Sequence, residues 1–346
     1  SAKTASIVAG GNVFIQGDVS SRDSAGTDIN LQGSIQSQNT FIFGNDDDDT
    51  ITVGNVSGDV NIQGFDGDDA IAIAVPNGTP VAGPPELQLV GGDGTDAVTI
   101  SGSARSNVFD IDEQQVDVVV RLNAYFMSVE MMSVVGGDGD DTFNVSSVDA
   151  DVDLLLEGGR GADTYKLGDA TQSLQQIEGD VAINGGDGID SLQLDNQGTS
   201  SDTQGEVSAD RVTGFGLGKG VTYQQVENLS LDLGSGDDEV SVTGTPAGET
   251  IIKAGDGDDQ VAVEQIDGTT TVNTGVGTDQ VTTSIAESPA GLTLEDPDAD
   301  DSTGSTDSTD GTSSTGTGRT SRGRGYSSST STTPDTSTPS VTGRTS

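Results

Sequence analysis

The stretch Gly136-Gly137-Asp138-Gly139-Asp140-Asp141-Thr142-Phe143-Asn144-Val145 decides the fold. Its glycines permit positive φ, its aspartates suit a tight turn, and its last four residues alternate polar and apolar as a half-buried strand does. Close copies stand at residues 91–98, 158–165, 185–192 and 254–261, and looser ones surround Asp49, Asp69, Asp238 and Asp279.

Aligned on the last aspartate, the turns fall at Asp49, Asp69, Asp96, Asp141, Asp163, Asp190, Asp238, Asp259 and Asp279. The unit of about 20 to 27 residues is too short for a domain and suits one coil of a solenoid, which buries its apolar face only by stacking on its neighbours. Each unit reads as turn, strand, turn, strand. A slower period overlies this one: Asp49 to Asp141 and Asp141 to Asp238 each hold three acidic turns and one coil without any. The expected fold is all-β, a right-handed parallel β-roll or β-helix of about 12 coils, roughly 55 to 60 Å long at the usual strand spacing. Acidic turns come once per coil, which predicts that they line one edge.

Composition narrows function. Of 346 residues, 57 are acidic and 13 basic, a formal charge of −44, which makes nucleic acid a poor partner. With no Cys and no His, disulfides, the usual zinc ligands and the usual proton shuttle are all missing. No apolar run approaches the length of a membrane span, so no membrane insertion is expected. The opening residues lack a charged-then-apolar signal segment, which is expected of a mature product or an excised fragment.

Aspartate-rich turns call for a hard cation. In a Gly-Gly-x-Gly-x-Asp turn, carbonyls can face a shared point while the aspartate closes the shell, and a calcium ion with ligands at about 2.3 to 2.6 Å fits between two turns stacked about 4.8 Å apart. Unit charges about 5 Å apart repel by roughly 3 kcal/mol at an effective dielectric near 20, against a net domain stability of about 5 to 15 kcal/mol. Several calcium ions are therefore expected to be part of the fold, and magnesium, which keeps its waters, fits less well. Glycine and aspartate would serve metal-free turns equally, but nine repeats with two or three acids in most turns exceed that need. The expected ligands are Asp48 and Asp49; Asp66, Asp68 and Asp69; Gly91, Asp93 and Asp96; and Gly136, Asp138, Asp140 and Asp141. They continue through Gly158, Gly161 and Asp163; Gly185, Asp187 and Asp190; Asp237 and Asp238; Gly255, Asp256, Asp258 and Asp259; and Asp279.

These turns resemble the Gly-Gly-x-Gly-x-Asp-x-apolar-x signature of the repeats-in-toxin (RTX) calcium-binding family. The resemblance covers residues 91–283 and implies a parallel β-roll, turns that hold calcium, and a secreted protein. The chain departs from the family in lacking the tandem nine-residue period, in Arg160 for an acid, in Leu233-Gly234 for the glycine pair and in Val276 within the last turn. The layout is also similar to repetitive bacterial surface and adhesin-like proteins.

Three segments follow: N-terminal coils or a cap at 1–44, calcium-binding repeats at 45–295, and a Ser/Thr/Gly-rich linker or stalk at 296–346, expected to be disordered. Large side chains gather in the acid-free coils: Phe109, Tyr125, Phe126, Met127, Met131, Met132, Phe215 and Tyr223. They fill a wider core or form a docking patch. An enzyme is not expected, because Tyr125, Tyr165, Tyr223, Arg105, Arg121 and Lys219 form no local constellation for lyase chemistry. The expected function is structural: a spacer, adhesin stalk, surface-layer element or filament subunit, outside the cell or on its surface. Partners would be calcium, further copies at the coil ends, and a surface glycan or protein.

Overall fold

In the computed structural model, the described residues are 7–17, 26–33, 35–54, 56–75, 84–119, 121–284 and 291–297. Of the tail expected at 296–346, all but residues 296 and 297 lies outside them. The described residues form 28 strands and no helix, in a front sheet of 15 strands and a back sheet of 13. Thirteen strands at about 4.8 Å span about 58 Å. The first strands, including Val13–Gln16, Asp28–Leu31 and Ile35–Phe43, pair into the same two sheets as the rest.

Most neighbours are parallel and in register, one coil apart. Thr142–Val145 lies beside Thr164–Leu167, with Phe143 opposite Tyr165, and the latter strand lies beside Ser191–Asp195, with Tyr165 opposite Leu192. Alternation follows from the pleat: in most strands every second side chain enters one core cluster of Ile, Val, Leu and Phe running along the stack. Register also stacks like on like. The rings of Phe109, Phe143 and Tyr165 follow one another at 4.9 Å within that core, a geometry that adds to simple area burial.

The two coils that lack an acidic glycine turn are antiparallel meanders. The chain leaves Ala97–Ser101 of the back sheet, jumps ahead to Val108–Ile111 in the front sheet, and returns there through Gln115–Val118 and Leu122–Met127 to close beside Glu86–Asp93. The back sheet repeats the manoeuvre with Gln204–Val207, Arg211–Gly214 and Val221–Gln224, which closes beside Asp180–Asp187. Among the aromatic and sulfur side chains of these segments, Phe109, Phe126, Met132, Phe215 and Tyr223 are buried, whereas Tyr125, Met127 and Met131 are exposed.

These meanders correct the expectation that the acidic turns share one edge. Asp49, Asp69 and Asp96 follow front-sheet strands; Asp141, Asp163 and Asp190 follow the back-sheet strands Met131–Asp138, Asp153–Arg160 and Asp180–Asp187; Asp238, Asp259 and Asp279 follow front-sheet strands again. Outside the meanders each sheet keeps one strand direction, so front strands all end at one edge and back strands at the other. The turns therefore form three blocks of three that alternate between the near edge, near in the first and third blocks, and the far edge. Each meander places three successive strands in one sheet, and the motif resumes after the opposite sheet.

Candidate cation-binding turns

The final aspartate of every turn is buried although ionisable: Asp49, Asp69, Asp96, Asp141, Asp163, Asp190, Asp238, Asp259 and Asp279 are at most 7 % exposed. Each uses Oδ1 to accept a backbone N–H from the coil before it. Asp49 N–H donates to Asp69 at 2.7 Å, and Asp69 N–H to Asp96 at 2.9 Å. Asp141 N–H donates to Asp163 and Asp163 N–H to Asp190, both at 2.7 Å. Asp238 N–H donates to Asp259 at 2.7 Å and Asp259 N–H to Asp279 at 3.1 Å. These N–H groups point along the stack from turns that make no sheet ladder, and an acceptor in the next coil satisfies them.

Each block has a starter and the first two have a terminator. Thr27, Asn107 and Thr203 donate their N–H groups to the first aspartates, Asp49, Asp141 and Asp238. Glu130 Oε2 accepts from Asp96 N–H, and Glu227 Oε2 from Asp190 N–H, each at 2.8 Å. Both glutamates end a short turn opened by a residue at positive φ, Ser128 at 51° and Gln225 at 53°. They were absent from the expected ligand set. Their signal is the recurrence of Val-Glu at 129–130 and 226–227, at the same place in both cassettes.

The preceding acid of each pair points the other way. Asp68 N–H donates to Asp48, Thr95 N–H to Asp68, Ala162 N–H to Asp140, Asp258 N–H to Asp237 and Thr278 N–H to Asp258, at 2.8 to 2.9 Å. An Asp-Asp pair thus clamps its coil to both neighbours, which explains why the acids come doubled. Asp66, Asp93, Asp138, Asp187 and Asp256 are exposed on the outer rim, where Arg160 stands 3.6 Å from Asp138 and 3.8 Å from Asp187.

The second oxygen of the buried acids is the unusual one. Oδ2 of Asp69, Asp96, Asp141, Asp163, Asp190 and Asp259 is buried and meets no hydrogen-bond donor. In the first two blocks it faces the first glycine of its own turn together with a carbonyl from the next coil. A Cβ on Gly136 would lie under 3.0 Å from both Asp141 Oδ2 and Gly158 O, and one on Gly158 equally close to Asp163 Oδ2 and Gly185 O. The same convergence joins Asp69 Oδ2 with Gly91 O at Gly64, Asp96 Oδ2 with Ser128 O at Gly91, and Asp190 Oδ2 with Gln225 O at Gly185. Two acceptors converge at each place, joined at Gly158 by the Tyr165 hydroxyl, which donates to Asn184 O at 3.1 Å, and burial leaves their repulsion little screened.

Burial pushes Asp69 up to about 7, aided by Asp96, Asp49 and Asp48. It pushes Asp141, Asp163 and Asp259 up to about 6, with neighbouring carboxylates adding to the shift. Asp96, Asp190 and Asp238 are raised for the same first reason. Such acids hold a proton or a cation more readily than an exposed aspartate.

The starter coil shows what the alternative looks like. At Gly102 the converging atoms are Gly136 O and Asn107 Nδ2, so the place of a carboxylate oxygen is taken by an amide nitrogen. Asn107 Nδ2 donates to Gly136 O at 3.3 Å and to Asp141 Oδ1 at 3.0 Å. A donor therefore fits where the aspartates bring an acceptor. A calcium ion matches that need in chemistry, since carboxylate and carbonyl oxygens are its ordinary ligands. Among the described residues no three acidic side chains converge on one point, so carbonyls would have to share the coordination.

Of the expected ligands, the structure brings Asp69, Asp96, Asp141, Asp163 and Asp190 against carbonyls that include those of Gly91, Gly158 and Gly185. It leaves the outer acids on the rim, and it holds Gly161 in a stacking role. Gly161 has φ of 131°, and a Cβ there would strike Gly139 O of the preceding coil. Comparison with protein-family models and with curated proteins found no match to this chain.

Proposed function

We propose that the chain is a calcium-stiffened structural segment of a secreted or cell-surface protein, serving as a spacer, adhesin stalk, surface-layer element or filament subunit. One observation carries the reading: buried aspartate oxygens that accept no hydrogen bond converge with backbone carbonyls, where Asn107 supplies a donor. An ion held by Asp Oδ2 and the facing carbonyls of two successive turns removes that repulsion and ties coil to coil.

Binding then contributes folding free energy, because the unfolded chain offers no such paired oxygens. A stack about 58 Å long that stiffens only with calcium suits the outside of a cell, where sensors and modules of modest affinity are saturated. Open strand edges at the two ends of the stack suit association of further copies. The −44 charge disfavours nucleic acid, and among the described residues no helix is long and apolar enough to cross a membrane.

The test is a calcium titration of metal-free protein followed by far-UV circular dichroism, with magnesium in parallel. A calcium-specific gain in β-signal and melting temperature supports the proposal; identical curves with and without calcium overturn it.

A further inference from the structure

The outer face of the front sheet carries a charge-free strip on an otherwise acidic body. Strand register, parallel from Phe14 to Tyr125 and antiparallel from Tyr125 to Gln115, aligns Phe14, Phe41, Asn61, Gln88, Tyr125 and Gln115 in one row. Phe43, Gln63, Val90 and Met127 continue as the adjacent row. None of these side chains is ionisable near neutral pH, in a chain with 57 acids. Phe14, Tyr125 and Met127 are exposed by 68, 38 and 66 %.

A groove of about 160 Å³ is lined by Phe41, Asn61 and Gln88 of this strip and, where the strip meets the next row, by Asp59 and Glu86. Asn61 Nδ2 donates to Gln88 Oε1 at 3.0 Å, which holds the two amides in place. Each amide carries two donor hydrogens and an acceptor oxygen, so both keep capacity for a ligand that is itself donor and acceptor at every position. Hydroxyl groups of a sugar have that property.

We propose that this strip binds a neutral polysaccharide, with Asn61 and Gln88 hydrogen-bonding its hydroxyls and Phe41, Phe43 and Tyr125 packing against its apolar ring faces. Charge selects the ligand class: a polyanion is repelled by the surrounding carboxylates, while a neutral chain loses nothing on this strip. Spacing agrees, because the row advances about 4.8 Å per strand, close to the rise of one pyranose along an extended chain. The groove is lined mainly by polar side chains, Asn39, Thr40, Asn61 and Gln88 among them, beside the ring of Phe41, which suits a ligand rich in hydroxyls. The inference is independent of the cation proposal, since it uses side chains of a different face.

Native affinity electrophoresis tests it, with calcium in every gel and mixed-linkage β-glucan, galactomannan or dextran as the embedded probe. At least one of these retards the protein, polygalacturonate does not, and Gln88→Ala and Tyr125→Ala each weaken the retardation at least tenfold. Leu155→Ala, exposed on the back sheet, leaves it unchanged, and circular dichroism shows all three variants folded. No retardation in any neutral gel overturns the proposal, as does retardation that survives both front-sheet variants. So does sedimentation showing self-association that Tyr125→Ala abolishes, which would make the strip a contact between copies.

Discussion

Asn107 Nδ2 lies 3.0 Å from Asp141 Oδ1 and donates to it, and the same nitrogen serves Gly136 O at 3.3 Å. One coil later the corresponding place belongs to Asp141 Oδ2, which has no donor and faces Gly158 O. The change from amide to acid between neighbouring coils replaces a satisfied contact with two converging acceptors. Asp141→Asn would restore the Asn107 arrangement in the next coil. The metal-free variant should melt higher than metal-free wild type and bind fewer calcium ions, whereas Asp141→Ala should lower both melting temperature and stoichiometry. Calorimetry with atomic-emission counting of bound calcium decides between them.

Acid should substitute for calcium. Asp69 is raised to about 7 and Asp141, Asp163 and Asp259 to about 6 from an ordinary 3.8. Between pH 4 and 7 the folded state thus binds more protons than the unfolded state, and the stability of metal-free protein falls as pH rises through that window. It is fully retained below about 4. Melting temperatures in EDTA should drop between pH 5 and pH 8, and saturating calcium should flatten the profile. A metal-free profile that rises over the same range contradicts these shifts.

Glu130 and Glu227 should behave as terminators of separate blocks. Glu130→Ala leaves Asp96 N–H, buried beneath the turn, without its 2.8 Å acceptor, at a cost of about 1 to 3 kcal/mol. Hydrogen exchange should accelerate at the amides of Asp49, Asp69 and Asp96 and stay unchanged across Asp141 to Asp190, whose ladder ends on Glu227 instead.

Stacking distance, not turn geometry alone, should make Gly161 irreplaceable. Gly161→Ala must keep φ at 131° and seat a methyl group against Gly139 O, so it should cost about 1 to 3 kcal/mol or more. A denaturant midpoint within error of wild type would refute the close-stacked turns.

Phe143, fully buried between Phe109 and Tyr165 at 4.9 Å from each ring, tests the core in the same way. Phe143→Ala should destabilise by about 3 to 5 kcal/mol, and equilibrium unfolding measures it.

Sequence made the coils legible because stacking repeats the same demands at a fixed spacing. Gly-x-Asp turns and alternating strands such as Thr142–Val145 return wherever the chain closes a coil. The change of edge was hidden. Residues 107–132 have the length of one acid-free coil, and their hairpin at Asp112–Gln115 lacks the Asn-Gly or Asp-Gly signal that marks a tight reversal. Nothing local separates three antiparallel strands in one sheet from two parallel strands in two; the pairing of Leu122–Met127 with Glu86–Asp93 makes that choice between residues 37 apart in sequence, such as Tyr125 and Gln88. The roles within the turn were hidden for a similar reason. Asp140 and Asp141 are identical in composition, yet one is exposed and takes Ala162 N–H from the following coil, while the other is buried and takes Asn107 N–H from the preceding one.

The most direct measurement of the central claim is the melting temperature of the purified chain at pH 7.5 in EDTA, in magnesium and in saturating calcium, with the bound ions counted. A large calcium-specific rise is expected, with little effect of magnesium and several ions per chain, fewer in Asp141→Asn. Equal melting temperatures in all three buffers and no retained calcium would contradict it, and would leave the buried aspartates as proton-bearing struts of a metal-free solenoid.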